Sequence, residues 1–349
     1  MPLETRAPSD NPRPLAVLGA GSWGTTIAWL LANNSRPVRL WARDAKLASE
    51  IQSSRRNRGY LPGTYLPDEV EVTADLSAAV LDDAYVFAVV PAKAVAELFE
   101  LVAALPGRPA GVVSCIKGLT YLDRARPDQH GPGLLRQSER IAAALTGLPV
   151  AALSGPNLAG EIAGGKPAAT TVASADAEFA RELQALLGQP TFRVYTSSDI
   201  VGVELAGALK NVIAIAAGIC DGLSLGDNAK STIITRGLAE LVRLGSRLGG
   251  QERTFYGLAG VGDVVATCMS ENSRNHRAGV LLAQGEPLDS RGLGALTAEG
   301  LPTVAAVHDF AVAQNLELPI TTEVYRVAYE GKAPHDAMFD LMTREGKAE

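Results

Sequence analysis

Short apolar runs punctuate the first half of the chain. They fall at 14–19 (PLAVLG), 37–42 (PVRLWA), 84–90 (AYVFAVV), 110–116 (AGVVSCI), 150–153 (VAAL) and 168–173 (AATTVA). Runs this short, bounded by proline, glycine and polar residues, predict buried strands. Stretches 23–33, 92–105 and 177–188 predict helices between several of them. Pro91 follows a strand and sits just inside a helix, where its missing N–H is not needed. Alternating strands and helices predict a mostly parallel, doubly wound sheet. After about residue 197 the strand pattern stops, and 199–219, 229–249, 273–284, 301–315 and 321–330 all predict helices. The expected organisation is a loose, Pro-rich arm at 1–13, an α/β domain at 14–196 and an all-helical domain at 197–349. The segment 120–135 (TYLDRARPDQHGPGLL) is expected to be a surface loop insertion.

Composition narrows the function classes. The 349 residues are 47% hydrophobic and 20% charged, enough to bury two cores rather than stay disordered. The formal net charge of -6 argues against nucleic acid, whose backbone needs a clustered basic face. Cys115, Cys220 and Cys268 are scattered and odd in number, which fits neither a disulfide framework nor a metal motif. With His130, His276, His308 and His335 also dispersed, no metal is expected. The first residues lack the apolar core of a signal peptide, and no apolar run is expected to reach the 18 residues of a membrane span. These points predict a cytoplasmic protein.

Gly19-Ala20-Gly21-Ser22-Trp23-Gly24 is G-x-G-x-x-G between a predicted strand and a predicted helix. In that context the first glycine turns the chain, the second admits a pyrophosphate and the third lets helix pack on strand. The helix start adds free N–H groups and the positive end of its dipole. The first domain is therefore expected to be a Rossmann dinucleotide-binding domain. The second strand ends Trp41-Ala42-Arg43-Asp44. Asp at that end suits the ribose of NAD, and Arg suits the 2′-phosphate of NADP. Arg43 is in reach and Asp44 is one step late, so NADP, or use of both, is expected. A solvated loop arginine fits Arg43 as well.

Candidate chemistry lies further along. Lys210 sits mid-helix in an almost wholly apolar stretch, where desolvation lowers a lysine pKa, although a lysine at a helix edge can also snorkel. Asn211 beside it also needs partners. Asp263, in GLAGVGDVVATC with Thr267 one turn on, is placed to orient Lys210 or to cap a helix. Ser273-Arg274-Asn275 opens another helix, where an arginine fork and free N–H groups suit phosphate oxygens, or where an ordinary charged helix begins. Lys117 in Cys115-Ile116-Lys117-Gly118, and Gly155 with Asn157 in Ser154-Gly155-Pro156-Asn157, end strands on the edge where open α/β sheets bind ligands.

Taken together, GAGSWGTTIA, NRGYLPG, CIKGL, LSGPNLAGEI, ELAGALKNVIAIAAGICDGL, ITRGLAE, GLAGVGDVVATC, SRN and AEG resemble the bacterial NAD(P)-dependent glycerol-3-phosphate dehydrogenases, in order over roughly 14–330. The resemblance implies a homodimeric enzyme interconverting dihydroxyacetone phosphate and sn-glycerol 3-phosphate for phospholipid synthesis. It implies Lys210 as proton donor and acceptor, with Asp263, Thr267, Asn211 and Lys117 around it. Substrate would lie against Lys117, Gly155, Asn157, Lys210, Asp263, Ser273, Arg274 and Asn275. Coenzyme would lie against Gly19, Gly21, Ser22, Trp23, Gly24, Arg43, Lys117, Ala159, Arg274, Thr297 and Glu299. The alternatives are a β-hydroxyacid or 6-phosphogluconate type dehydrogenase, or a nucleotide-sensing protein with an inactive site.

Overall fold

The structure, a computed structural model, describes residues 13–122, 133–286 and 298–345. Eight strands form one sheet in the order β10-β9-β8-β5-β4-β1-β2-β3. They are β1 (Leu15–Leu18), β2 (Val38–Trp41), β3 (Val70–Thr73), β4 (Tyr85–Ala88), β5 (Gly111–Ser114), β8 (Val150–Ser154), β9 (Ala168–Ser174) and β10 (Phe192–Ser197). From β3 across to β8 every pairing is parallel. β9 runs antiparallel to β8, and β10 parallel to β9. Strand order reverses between β1 and β4, which opens a crevice beyond their carboxyl ends.

Strands β1, β4 and β5 are buried along their whole length, as parallel strands covered on both faces must be, and so they read as unbroken apolar runs. The apolar-run criterion misses β3 and β10. At the sheet's two edges, Glu71 in β3 and Arg193 in β10 face solvent between buried neighbours, and Tyr195 and Thr196 in β10 are exposed together. It also misses the helix Ala45–Ser54, opened by the Asp44 cap.

Two expectations need correction here. The segment 120–135 does not begin and end as loop: β6 (Thr120–Leu122) pairs antiparallel with β7 (Gly133–Leu135), because Leu134 is buried against Leu119 and the second domain. Its middle, 123–132, lies outside the described residues, as do 1–12 of the expected arm. Arg13 is tied down, donating to Asp83 at 3.1 Å and to the Tyr85 hydroxyl at 2.8 Å. Pro91 caps a 3-10 turn, Ala92–Ala94, which leads into the helix Val95–Ala103.

The second domain is built on the helix Ile200–Gly222, buried at every residue from Gly202 to Cys220. Among the described residues it alone is long and apolar enough to cross a membrane, contrary to the expectation that no run would be. Nearly all of it lies inside the protein, so it is a core helix. Around it pack Gly226–Arg247, Asp263–Met269, Arg274–Ala283, Gly300–Ala313 and Pro319–Tyr329. Gly218 and Gly279 bring two of these helices together. A Cβ on Gly218 would stand 2.0 Å from the His276 carbonyl oxygen, and one on Gly279 would stand 2.0 Å from that of Ile215.

Candidate active site

The glycine loop follows β1 at the strand-order reversal. Gly19 has φ +117°, and a Cβ there would lie 2.4 Å from the Val89 carbonyl oxygen after β4; a Cβ on Gly24 would lie 1.8 Å from that of Gly19. Gly21 differs: a Cβ there would meet nothing within 4 Å. Backbone packing demands the outer two glycines, while the middle one faces open space at the start of the helix Ser22–Asn33. The first-turn N–H groups of such a helix have no intrahelical acceptor. These features fit a dinucleotide pyrophosphate. Buried Asn57 braces the loop from the side, donating to the Ala20 carbonyl and the Thr25 hydroxyl at 2.8 Å each. The Ser22 hydroxyl donates to the Tyr60 carbonyl at 2.7 Å.

Ala159 opens a short helix beside this one, and its carbonyl accepts the Thr26 hydroxyl at 3.4 Å. Arg43 is exposed just past β2. The Asp44 carboxylate is occupied as a helix cap, accepting the Lys46 and Leu47 N–H groups at 2.8 and 3.3 Å. Trp23 is half-buried on the first turn of the helix, and Thr297 lies outside the described residues.

Lys117, Lys210, Asp263 and Thr267 converge at the domain junction. Lys210 Nζ lies 2.9 Å from Asp263 Oδ1 and also donates to the Thr267 hydroxyl, which itself donates to Asp263 Oδ1 at 3.0 Å. Lys117 Nζ takes the other carboxylate oxygen at 2.5 Å and the Gly155 carbonyl at 2.9 Å. Asp263 is the first residue of Asp263–Met269, after a π-helical turn at Leu258–Gly262. Its carboxylate goes to the lysines rather than to capping. Gly207, one turn before Lys210, leaves the helix close to β8: a Cβ there would sit 2.3 Å from Ser154 Oγ.

The electrostatics follow from burial with mixed charges. Desolvation lowers the Lys210 pKa, Asp263 opposes this and Lys117 adds to it, leaving the ammonium at about 8. Burial would push the Asp263 carboxyl up, but Lys117 and Lys210 outweigh it and hold the group below its ordinary range. Each lysine has three N–H donors and two acceptors among the described residues. One N–H on each remains for a further acceptor.

Asn211 and Asn275 extend the site as a directional chain of amides. Asn211 donates to the Lys117 carbonyl at 2.9 Å, Asn275 donates to Asn211 Oδ1 at 2.7 Å, and the Gly300 N–H donates to Asn275 Oδ1 at 3.0 Å. Ser273 caps the helix Arg274–Ala283 by accepting the His276 N–H at 3.2 Å, and Arg274 is exposed on its first turn. Glu299 reaches the other domain. Burial raises its pKa, against the Ala92 N–H, Arg274 and Lys93, and a Cβ on Gly118 would stand 2.8 Å from its Oε2. Asn157 turns toward the sheet and donates to the Thr170 hydroxyl at 2.9 Å.

The structure thus joins Lys117, Gly155, Lys210, Asn211, Asp263, Thr267 and Asn275 in one hydrogen-bonded cluster, with Ser273, Arg274 and Glu299 adjoining it. Gly19, Gly21, Ser22, Trp23, Gly24 and Ala159 form a second group, joined to the first through the turn after β4. Arg43 stands apart on the surface. Asn57 is the supporting residue that motif reading did not single out. It belongs to NRGYLPG, but no local pattern shows that this loop folds back on the glycines.

A sheet of this order with a glycine loop at its reversal, and a helical domain that brings in a buried lysine, places the chain in the class of two-domain NAD(P)-dependent dehydrogenases. The family model described as NAD-dependent glycerol-3-phosphate dehydrogenase N-terminus matches residues 14–180, and its C-terminus counterpart matches 199–339. The glycerol-3-phosphate dehydrogenase (NAD(P)+) of Thermus thermophilus is 48% identical over 338 residues, covering 96% of this chain and 99% of its own. That of Deinococcus radiodurans is 48% identical over 335 residues, with 96% of each covered. The crystal structure of glycerol-3-phosphate dehydrogenase from Coxiella burnetii superposes with a TM-score of 0.86 at 37% identity, covering 95% of this chain and 99% of that one. The chain belongs to the NAD-dependent glycerol-3-phosphate dehydrogenase family, and with it to the NAD(P)-dependent oxidoreductases. Among its described residues no cluster of histidine, cysteine or carboxylate side chains is arranged to hold a metal.

Proposed function

We propose that this protein interconverts dihydroxyacetone phosphate and sn-glycerol 3-phosphate, with Lys210 as the general acid and base. The observation that carries the reading is the buried Lys210 ammonium held by Asp263 and Thr267 with one N–H left over; burial draws its pKa down to about 8, close to the range of an effective catalyst at neutral pH. The reduced nicotinamide, when bound, supplies the hydride for the C2 carbon. In that direction Lys210 donates its remaining N–H proton to the oxygen forming at C2. In the reverse direction neutral Lys210 accepts the hydroxyl proton. Asp263 stays ionised and holds Lys210 and Lys117 in register. Lys117 offers its own free N–H to the substrate, and its charge keeps the Lys210 pKa down.

Arg274 and the first-turn N–H groups beside Ser273 and Asn275 take the phosphate dianion, which a protein of net negative charge can hold only through local cations. Asn275 keeps one amide N–H for it. Gly155 presents its backbone, and Asn157 shapes the substrate loop. Gly19, Gly21, Ser22, Trp23, Gly24, Ala159, Thr297 and Glu299 hold the coenzyme. NADP is preferred, because Asp44 is committed to its helix while Arg43 is free for a 2′-phosphate. Residues 14–196 supply most of the coenzyme contacts and 197–349 most of the substrate contacts. Homodimer assembly, a cytoplasmic location and supply of glycerol phosphate to phospholipid synthesis rest on the family alone. The test is NADPH absorbance on adding dihydroxyacetone phosphate. A prompt fall supports the reading, and no fall with this ketone but a fall with a β-keto acid overturns it.

A further inference from the structure

Glu204 is a buried carboxylate, 3% exposed, with no part in the chemistry above. It lies seven residues before Asn211, so the two stand on one face of the Ile200–Gly222 helix, about 10 Å apart along its axis. Both reach the first domain on either side of the same short stretch. Glu204 Oε1 accepts the Ser138 N–H at 2.8 Å, and Oε2 accepts the Ser138 hydroxyl and Arg136 Nη1, the latter at 3.3 Å. Between those partners sits fully buried Gln137, whose amide donates to the Gly118 carbonyl at 3.1 Å and to the Thr120 hydroxyl at 3.3 Å. Gly118 follows Lys117, whose own carbonyl Asn211 holds.

We infer that Glu204 is a positioning residue of the reaction: through Ser138, Arg136 and Gln137 it sets the Lys117 turn against Asp263 and Lys210. A buried carboxylate is expensive without donors, and this one spends its acceptors on the start of the helix Gln137–Ala144 rather than on its own domain. The inference rests on the acid/base reading of Lys210. The ionisable groups around the three centres are Arg136 and Glu139 for Glu204, Asp263, Lys210 and Cys115 for Lys117, and Asp263, Lys117 and Cys268 for Lys210. If the Lys117 turn drifts, Lys210 loses a neighbouring cation and gains a larger share of Asp263. Both changes raise its pKa.

Glu240 supplies a matched control. It too is a buried carboxylate accepting backbone N–H groups at a helix start, from Ile320 at 2.6 Å and Thr321 at 3.3 Å, whereas the hydrogen bonds of Lys117, Gly118 and Asp263 go to other residues. The experiment compares Glu204→Gln, Gln137→Leu, Glu240→Gln and Lys210→Met by thermal melting, kcat, KM and the pH profile of dihydroxyacetone phosphate reduction. Glu204→Gln and Gln137→Leu are expected to lower kcat by about ten- to a hundredfold, since a 1 Å misplacement of a catalytic group costs up to about 10²-fold, with KM for NADPH little changed. Their alkaline limb is expected to move up by about half a pH unit or more. Glu240→Gln is expected to lower Tm without moving the limb.

Wild-type kcat and an unmoved limb in the two clasp variants would overturn the inference, as would an equal limb shift in Glu240→Gln. If Glu204→Gln does not fold, Gln137→Leu decides by the same criteria. Lys210→Met that keeps near wild-type turnover and its alkaline limb defeats the acid/base reading itself. Lys210→Met that loses turnover beside an unaffected Gln137→Leu defeats only the role of Glu204.

Discussion

The glycine loop and the lysine cluster are built in opposite ways. The loop is six consecutive residues, and its chemistry is backbone chemistry: N–H groups, a left-handed turn at Gly19 and the absence of side chains where Gly24 meets Gly19. The cluster draws Lys117 from the turn after β5, Lys210 from the core helix Ile200–Gly222 and both Asp263 and Thr267 from the helix Asp263–Met269, and its chemistry lies in the charges they force on one another. In the proposed reaction Lys210 serves as proton donor because burial lowers its pKa, while Lys117 and Asp263, distant in sequence, act on it from opposite directions. A loop made of contiguous backbone tolerates changes around it, whereas a cluster of coupled charges loses its function when any member moves.

That contrast is sharpest at Lys210. Lys210→Met is expected to keep the fold and NADPH binding while cutting turnover by about 10²–10⁴-fold, as read by steady-state kinetics beside coenzyme fluorescence titration. Turnover within a few-fold of wild type would return the lysine to a structural role. Next in size is Arg274→Ala. Losing a charge-assisted bond to phosphate costs about tenfold to a hundredfold in affinity, so KM for dihydroxyacetone phosphate should rise strongly while unphosphorylated dihydroxyacetone loses much less. NADPH affinity is measured alongside, because Arg274 adjoins Glu299; equal losses on both ketones would remove Arg274 from the phosphate.

The pH profile follows. Below pH 8 Lys210 is the ammonium the ketone reduction needs, so that rate should fall as pH climbs through about 8, by about tenfold per unit well above it. Oxidation of the alcohol needs the neutral amine and should rise through the same range. Reduction that is flat across that range would separate Lys210 from the transferred proton. The smallest effect belongs to the loop side. Arg43 is exposed, so Arg43→Gln should weaken NADPH relative to NADH by a factor of only about two to five. Identical changes in both dissociation constants would place Arg43 away from the 2′-phosphate.

Periodicity and local motifs made much of this protein legible. The central strands announce themselves because burial on both faces leaves no solvent-facing position in them, and the core helix is apolar nearly all round for the same reason. The glycine loop is readable because turn, approach and packing each demand glycine at a fixed spacing. Lys210 is visible as a charge in an apolar helix. The edge strands β3 and β10, the β6–β7 ribbon and the fold-back of Asn57 carry no comparable signature, since each depends on which neighbour it meets.

The amino-acid sequence by itself therefore determined the sheet-then-helix architecture, the dinucleotide loop and the identity of the lysine and aspartate, because those follow from burial and backbone geometry over a few residues. Tertiary structure alone decided that Asp263 serves two lysines at once, that Asp44 is used up as a cap, that Asn275 is bound into an amide chain and that Glu204 holds the start of the helix Gln137–Ala144. The physical reason is range. Hydrogen-bond partners and the pKa of a buried charge depend on groups within a few ångströms in space, and at this site those groups lie dozens of residues apart in the chain.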